Sequence, residues 1–497
     1  MKEVLNINLG QCGIQVAGLF WETFSNALKL SDGTRRAILE EAQCFFWQSN
    51  KEAPFEDDGF VDSSTFVSGL RSRCILVDTE VGTVSEILQR KHLNNIDNTN
   101  IVCGTEATGG NWSTAYYDYG PQYHDALEEL LIKNAEHIDE CFQYFNLTFA
   151  ISGGAGSGLG SYMLDLLKDE YPKVYRICNV ITQDTVAAVS PYNTVLCLQH
   201  LNDMGNITNL FSNEALLQQA VQSTAPILRE SKKSDSNDSG FNNINALIVE
   251  HLKEFGLATI SKRTPGFNMN SVVNTLTPLP SLNLMCPAAV PKQLITKGAT
   301  TEALLNELMR PSNRICPVPL KQKAFPIAMA IDGDFDTSSF KYVKRLKLKH
   351  NMVGWMRDGI KLSIPGAFAE CNGGPHEKGV YAIVNDCGIS SFLRNSLSNF
   401  DRLYSKKAFL HHFSQLLDPD EFSNARYHVD QLRSDYDEIY TSTMPPHRLL
   451  DEASLTSIGV KLNRLKNEQY TDIWNTTPPV ISSDKPNWWE LNGAPLV

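Results

Sequence analysis

Residues 152–160 read SGGAGSGLG, five glycines in nine positions, set between an apolar run, LTFAI at 147–151, and a helix-forming one, SYMLDLLKDEY at 161–171. Glycine loses more backbone entropy on folding than any other residue, so this density needs a cause: dihedrals closed to other side chains, or a ligand pressed against the main chain. At a strand end that faces a helix N-terminus, unpaired N–H groups and the positive end of the macrodipole favour an anion, phosphate foremost. The same glycines would also serve a tight turn that lets helix and strand pack closely, so this loop alone does not decide.

Two familiar phosphate patterns are excluded directly. A P-loop needs Gly-Lys-[Ser/Thr] after four variable residues, and no lysine lies between Ala150 and Leu167. The dinucleotide fingerprint G-x-G-x-x-G fails because its third glycine falls on Leu159 or Ser161. A second strand-glycine-helix junction opens the chain: INLGQCGIQVAGLFWE places Gly10 and Gly13 around Gln11 and Cys12. Two such junctions can aim two helix N-termini at one polyphosphate, with the Gln11 amide in hydrogen-bonding reach. A third strand end, CILVDTEVGTV, supplies Asp78 and Glu80, carboxylates spaced to reach magnesium or its waters, or simply to sit solvated in a turn.

The elements that must position these groups alternate. Short apolar runs at 4–9, 73–78, 147–152 and 176–182 are interleaved with helical patterns, which predicts βαβ units and an α/β fold with a largely parallel sheet. Such sheets carry their sites at the carboxyl ends of the strands. Phe241, Ile244, Ile248, Leu252 and Phe255 recur at helical spacing and predict a buried central helix, preceded by a polar, mobile insertion at 229–240. The Pro-rich stretch 278–291 ends that neighbourhood, and FPIAMAI (325–331) and VYAIVND (380–386) are strands of a second, mixed domain. From Ile389 the pattern is helical, with one stripe at Phe392, Leu393, Leu397, Phe400, Leu403 and Tyr404 and another at Phe422, Ala425, Val429, Leu432, Tyr436 and Ile439. The start of the second is marked by Asp418, Pro419 and Glu421, which have the order and spacing of a capped helix.

At 497 residues and 42% apolar composition the chain predicts a large soluble body of two or three domains. A net charge of -12 lacks the basic excess of a general nucleic-acid or anionic-membrane binder, and no apolar run is long enough to span a membrane. The eleven cysteines are scattered, with no C-x-x-C pair, which argues against a disulfide framework or a zinc ribbon and for reduced thiols.

With these residues in view, the chain resembles the tubulin family. The blocks GQCG (10–13), LVDTEVGT (76–83), GGNW (109–112), GGAGSGLG (153–160), SPYN (190–193), NEAL (213–216) and YSKKAFLHHF (404–413) occur in the family's order over roughly residues 1–450. DEYPKVYR (169–176), SPYN and RLYSKKAFLHH are most similar to its epsilon branch, which is associated with centrioles and basal bodies. The resemblance implies a GTP-binding domain with a Rossmann-like sheet at 1–258, an intermediate domain at 259–388, a helical domain at 389–444 and a loose tail at 445–497. It also implies GTP or GDP with Mg2+ as ligands, and a nucleotide at a longitudinal contact with another tubulin subunit. Carried over by position, Gln11, Cys12, Gly109, Gly110, Asn111 and the run Ser152, Gly153, Gly154, Ala155, Gly156, Ser157, Gly158 would hold phosphates. Asn213 and Asn245 would read guanine, Phe241 would stack on it, and Asp78 and Glu80 would serve the metal. The implied setting is the cytoplasmic cytoskeleton at a centriole or basal body, with centriolar partners and neither nucleic acid nor membrane.

The sequence departs from that pattern at Ile14, Gly110, Ser152, Ala155 and Ser190, each of which replaces a residue typical of the family. Where family members carry a loop glutamate that completes a neighbour's GTPase site, GFNMNSVVNTLTPLP (266–280) contains no carboxylate and puts Ser271 nearest that place, so no catalytic residue is assigned. The tail 477–497 has only Asp484 and Glu490 as acids, unlike the glutamate-rich ends of polymer-forming tubulins. Two other readings stay open: a nucleotide-free scaffold, and a nucleotide-dependent metabolic enzyme on a parallel sheet.

Overall fold

A computed structural model describes residues 2–28, 44–48, 69–90, 95–138, 141–183, 188–224, 238–260, 267–291, 300–321, 325–333, 340–349, 352–353, 356, 359–363 and 379–442. Met1–Tyr440 forms one compact unit and Thr441–Val497 a second, of which only Thr441 and Ser442 are among the described residues. The expected loose tail therefore lies outside them, as does nearly all of the expected insertion; its last three residues, from Asp238, already belong to the helix Asp238–Ile260.

Among the described residues ten strands make one sheet in the order β11-β10-β12-β9-β8-β7-β6-β1-β4-β5. The parallel half comprises β1 (Glu3–Leu9), β4 (Cys74–Asp78), β5 (Ile101–Cys103), β6 (Phe142–Ala150), β7 (Tyr175–Thr182) and β8 (Ile207–Ser212). Every residue of β1, β4 and β8 is buried, as expected of parallel strands covered on both faces. A short antiparallel pair, β2 (Phe46–Gln48) and β3 (Leu70–Ser72), stands apart. The expected parallel α/β sheet is present.

The Pro-rich stretch does not end the neighbourhood. It contains β9 (Leu284–Ala289), which pairs parallel with β8 and antiparallel with β12 (Val380–Asp386), and so joins the two halves of the sheet. Pro287 is accommodated because its carbonyl is the group used there, accepting the N–H of Ile315 at 3.0 Å. Beyond β12 lie β10 (Pro326–Gly333) and β11 (Ile360–Leu362).

Helices Gly10–Leu28 and Asp238–Ile260 pack together, as do Gly154–Glu170 and Ser190–Met204, and Ser390–Tyr404 lies against Ser190–Met204. Both C-terminal stripes are core. All six positions of the second, on the helix Pro419–Ser442, are buried, while Leu403 and Tyr404 at the end of the first are only partly covered. Tyr192 explains the join: it is fully buried, its ring meets Phe400, Phe413 and Phe422 edge-on at 5.3–5.5 Å, and its hydroxyl donates to the Ala408 carbonyl at 2.8 Å.

A polar thread crosses the sheet interior. Asn209 donates to Asn179 (2.9 Å), Asn179 to Asn146 (2.7 Å) and Asn146 to Asn6 (2.7 Å), one asparagine from each of β8, β7, β6 and β1. A one-residue slip of any strand would break this chain and leave buried amides unpaired, so it pins the register that brings the strand ends level.

Candidate nucleotide site

Chain connections leave β1 toward β4 on one side and β6 toward β7 on the other, so the crevice between the carboxyl ends of β1 and β6 is the switch point of the sheet. Both glycine junctions end there. Gly10, at φ +69°, starts the helix Gly10–Leu28, and a Cβ on it would lie 2.8 Å from the Gly156 nitrogen and 2.9 Å from its Cα. The two helix N-termini are thus brought into backbone contact, which a side chain at Gly10 would prevent. Gly13 is equally constrained: a Cβ there would lie 2.2 Å from the Thr148 carbonyl oxygen, so the helix presses on β6.

The third glycine turn closes on the second. A Cβ on Gly154 would meet the Asn111 nitrogen at 2.4 Å, the Gly110 carbonyl carbon at 2.5 Å and Thr108 Oγ1 at 2.6 Å. Gly109 and Gly110 lie in the left-handed region at φ +62° and +74°, and both face open space, as does Gly153. Gly153 is the N-cap of Gly154–Glu170 and supplies no side-chain cap, and the first turn of that helix carries no acid. Its first N–H groups and dipole end are thus left for an external acceptor beside an open, glycine-walled space.

One residue absent from the expected site holds the two turns together. Asn193, fully buried, donates from Nδ2 to the carbonyls of Gly110 (2.8 Å) and Ser152 (3.1 Å) and accepts from the Trp112 N–H at 3.1 Å. Its neighbour Tyr192 anchors the C-terminal helices, so SPYN links the glycine turns to that layer. Its sequence signal is its place in the SPYN block of the family resemblance.

Side chains that sequence reasoning aimed at a ligand are in part committed inside the protein. Asn111 Nδ2 donates to the His412 carbonyl at 2.6 Å, and its Oδ1 accepts from the N–H and hydroxyl of Ser113 at 2.9 Å. The Ser157 hydroxyl donates back to the Gly153 carbonyl. What these two positions offer a ligand is therefore backbone. Gln11 is exposed in the first turn of its helix, Cys12 is partly covered with its thiol pushed up to about 12 by burial, and Ser152 and Ala155 are partly exposed. Asn213 begins the helix Asn213–Thr224 at the end of β8, and that helix packs against Asp238–Ile260, where the partly exposed Asn245 lies one turn after Phe241. The side chain of Phe241 lies outside the described residues.

Asp78 closes β4, buried, with Oδ1 accepting the Thr79 N–H at 2.8 Å. Burial, reinforced by the charge of Glu80 and opposed by backbone N–H groups, raises its carboxyl to about 6 from an ordinary 3.8. Glu80 is exposed two residues on. Among the described residues no three His, Cys, Asp or Glu side chains are grouped to hold a metal, so a divalent cation at Asp78 and Glu80 fits only by completing its shell with phosphate and water oxygens, as magnesium commonly does. A carboxylate whose folded pKa is raised contributes stability that is complete below 3.8 and lost as pH rises through about 6. Asp78→Asn is therefore expected to raise the stability of ligand-free protein at about pH 7.5, by on the order of 1–2 kcal/mol and with it the melting temperature, and to change little near pH 4. Magnesium-dependent nucleotide affinity should fall in wild type as pH drops through about 6, because proton and cation compete for one carboxylate, and the variant should lose that pH dependence. Calorimetry with and without magnesium at several pH values checks both signs.

Among the described residues every cysteine is a free thiol, and no helix is long and apolar enough to cross a membrane. Residues 3–221 match the model of the Tubulin/FtsZ family, GTPase domain. Relatives span nearly the whole chain. The tubulin epsilon chain of Homo sapiens is 26% identical over 483 residues, covering 90% of this chain and 98% of its own. The tubulin alpha-3 chain of Saccharomyces cerevisiae is 26% identical over 88% and 98%, and the tubulin beta chain of Encephalitozoon cuniculi 24% identical over 89% and 98%.

Proposed function

Because this chain belongs to the tubulin superfamily, as a divergent relative similar to the epsilon chains, we propose that it is a GTP-binding structural subunit of centriole or basal-body microtubules that does little to trigger hydrolysis in a neighbouring subunit. The observation that carries the reading is the convergence of three glycine turns, at Gly10, Gly110 and Gly153–Gly154, on one uncapped helix N-terminus at the switch point of the sheet. Backbone N–H groups of these turns would take the phosphates, Asp78 and Glu80 the magnesium side, and Asn213 and Asn245 the guanine edge, with Phe241 stacked on the base. Mg2+ would supply charge neutralisation of the phosphates, and the chain's own part is to hold them in one orientation. The same reading divides the chain into 1–258, 259–388 and 389–444, and puts other tubulin subunits and centriolar proteins as its partners.

Low hydrolytic capacity follows from the helix Met269–Leu276. Asn268 caps it by accepting the Ser271 N–H at 2.8 Å, and neither the helix nor its flanks at 267–280 carry a carboxylate. A serine hydroxyl is no unassisted general base at neutral pH. In a mixed assembly, single-turnover GTP hydrolysis by a subunit packed against this loop should show no stimulation. Stimulation that survives Ser271→Ala would refute this part of the reading.

The first test is simple. Purified protein is denatured and the released small molecules are separated by chromatography. GTP or GDP is expected; no nucleotide would favour the scaffold, and a dinucleotide the metabolic enzyme.

A further inference from the structure

A cavity of about 510 Å³ opens beside the carboxyl ends of β6, β7 and β8 and is closed on its far side by the helix Ser390–Tyr404. Its volume falls among those of small-molecule sites. It shares Ser152 with the glycine turns, but Gln11, Cys12, Asn213 and Asn245 do not line it, so it is a separate space. The wall is rich in neutral polar groups, Ser152, Ser212, Asn395 and Asn399 among them.

Arg314 is part of the same wall. The residue is only 6% exposed, and both terminal nitrogens of its guanidinium are shielded from solvent without a hydrogen-bond acceptor among the described residues. A guanidinium cannot relieve burial by giving up its proton, so an unpaired one is among the costliest groups a fold can enclose. Among the described residues no acid answers it: Asp386 takes the N–H groups of Phe325 (3.2 Å) and Gly388 (2.7 Å) on Oδ1 and makes no ion pair with Arg314, and Glu214, also on the wall, is exposed and makes none either. Nor is Arg314 loosely placed. It forms a bridge with Ala288, and Ile315 next to it is bonded to Pro287 on one side and to Ser212 on the other, at 3.0 and 2.9 Å.

We propose that this cavity binds a small organic molecule bearing a phosphate or carboxylate, its oxyanion gripped by the Arg314 fork and its body held by the hydroxyl and amide groups around it. With no anion bound the terminal nitrogens are shielded, and rotation about the flexible side-chain stem brings them in and out of the cavity, where an anion holds them. This site stands independently of nucleotide in the glycine turns.

The test uses full-length protein and inorganic phosphate as the probe, against chloride at matched ionic strength. Phenylglyoxal should label the peptide containing Arg314 in chloride, and phosphate should slow that labelling several-fold. An Arg314 that stays unlabelled in chloride, or is labelled at the same rate in phosphate, overturns the proposal. In parallel, phosphate should raise the melting temperature of wild type but not of Arg314→Met, with nucleotide release from the variant unchanged. An equal rise in both assigns the phosphate to the glycine turns and likewise refutes the cavity.

Discussion

Gly154→Ala should abolish nucleotide retention and destabilise the protein, while Gly153→Ala should abolish retention and leave the ligand-free protein as stable as wild type. The two adjacent glycines face different things. A Cβ on Gly154 would run into backbone at 2.4 and 2.5 Å, and neither Asn111 nor Gly110 can yield without opening the third turn. Overpacking of this kind costs about 1–3 kcal/mol of stability, and the displaced turn no longer presents its N–H groups to the phosphates. On Gly153, at φ -81°, the same Cβ meets nothing within 4 Å and strains no dihedral. It would instead occupy the space in front of the helix N-terminus, where the proposal puts a phosphate. Loss of two charge-assisted contacts at roughly 1.5–3 kcal/mol each lowers affinity by at least about a hundredfold. Thermal unfolding of nucleotide-stripped protein, paired with titration of GTP, separates the two effects. Wild-type affinity in Gly153→Ala would show that the open space is not where the ligand lies.

What the sequence disclosed and what it hid follow from the range of the physics involved. Glycine density, an uncapped helix start and a stripe such as Phe422 to Ile439 are properties of neighbouring residues, and they were readable at 153–158 and 422–439. The meeting of Gly10 with Gly156 depends on β1 lying beside β6, and an apolar run does not name its neighbour. The chain of Asn6, Asn146, Asn179 and Asn209 likewise reads as four separate polar interruptions until the register lines them up. The family resemblance put Asn111 and Ser157 at a ligand by position, whereas local geometry turns one amide to the His412 carbonyl and one hydroxyl back along its own helix. β9 was hidden by its proline, because the usual penalty of a missing N–H vanishes where only the carbonyl is used. The unpaired guanidinium of Arg314 carried no sequence signal, since its isolation depends on where Asp386 and Glu214 point in the fold.

Asn193→Ala should weaken nucleotide binding more than any substitution outside the glycine turns. The amide lies 83 residues from the Gly110 carbonyl and 41 from that of Ser152, and it is the one side chain bonded to both turns among the described residues. Truncation leaves two carbonyls and the Trp112 N–H without a partner in a buried setting, at about 1–3 kcal/mol for each group that water cannot reach. Part of that cost appears as lower stability. The remainder appears as affinity, because the turns must present their N–H groups together and, among the described residues, no other side chain is bonded to both. Asn193→Asp sharpens the test: it keeps the size and the acceptor for Trp112 but sets a carboxylate against two carbonyl oxygens, so it should be worse than alanine for binding despite its closer shape. If Asn193 only fills the core, the two variants should rank by packing alone, with aspartate the milder, and nucleotide affinity should follow stability. Affinity that falls further than stability, and further in aspartate than in alanine, identifies the residue as the clasp that sets the distance between the turns.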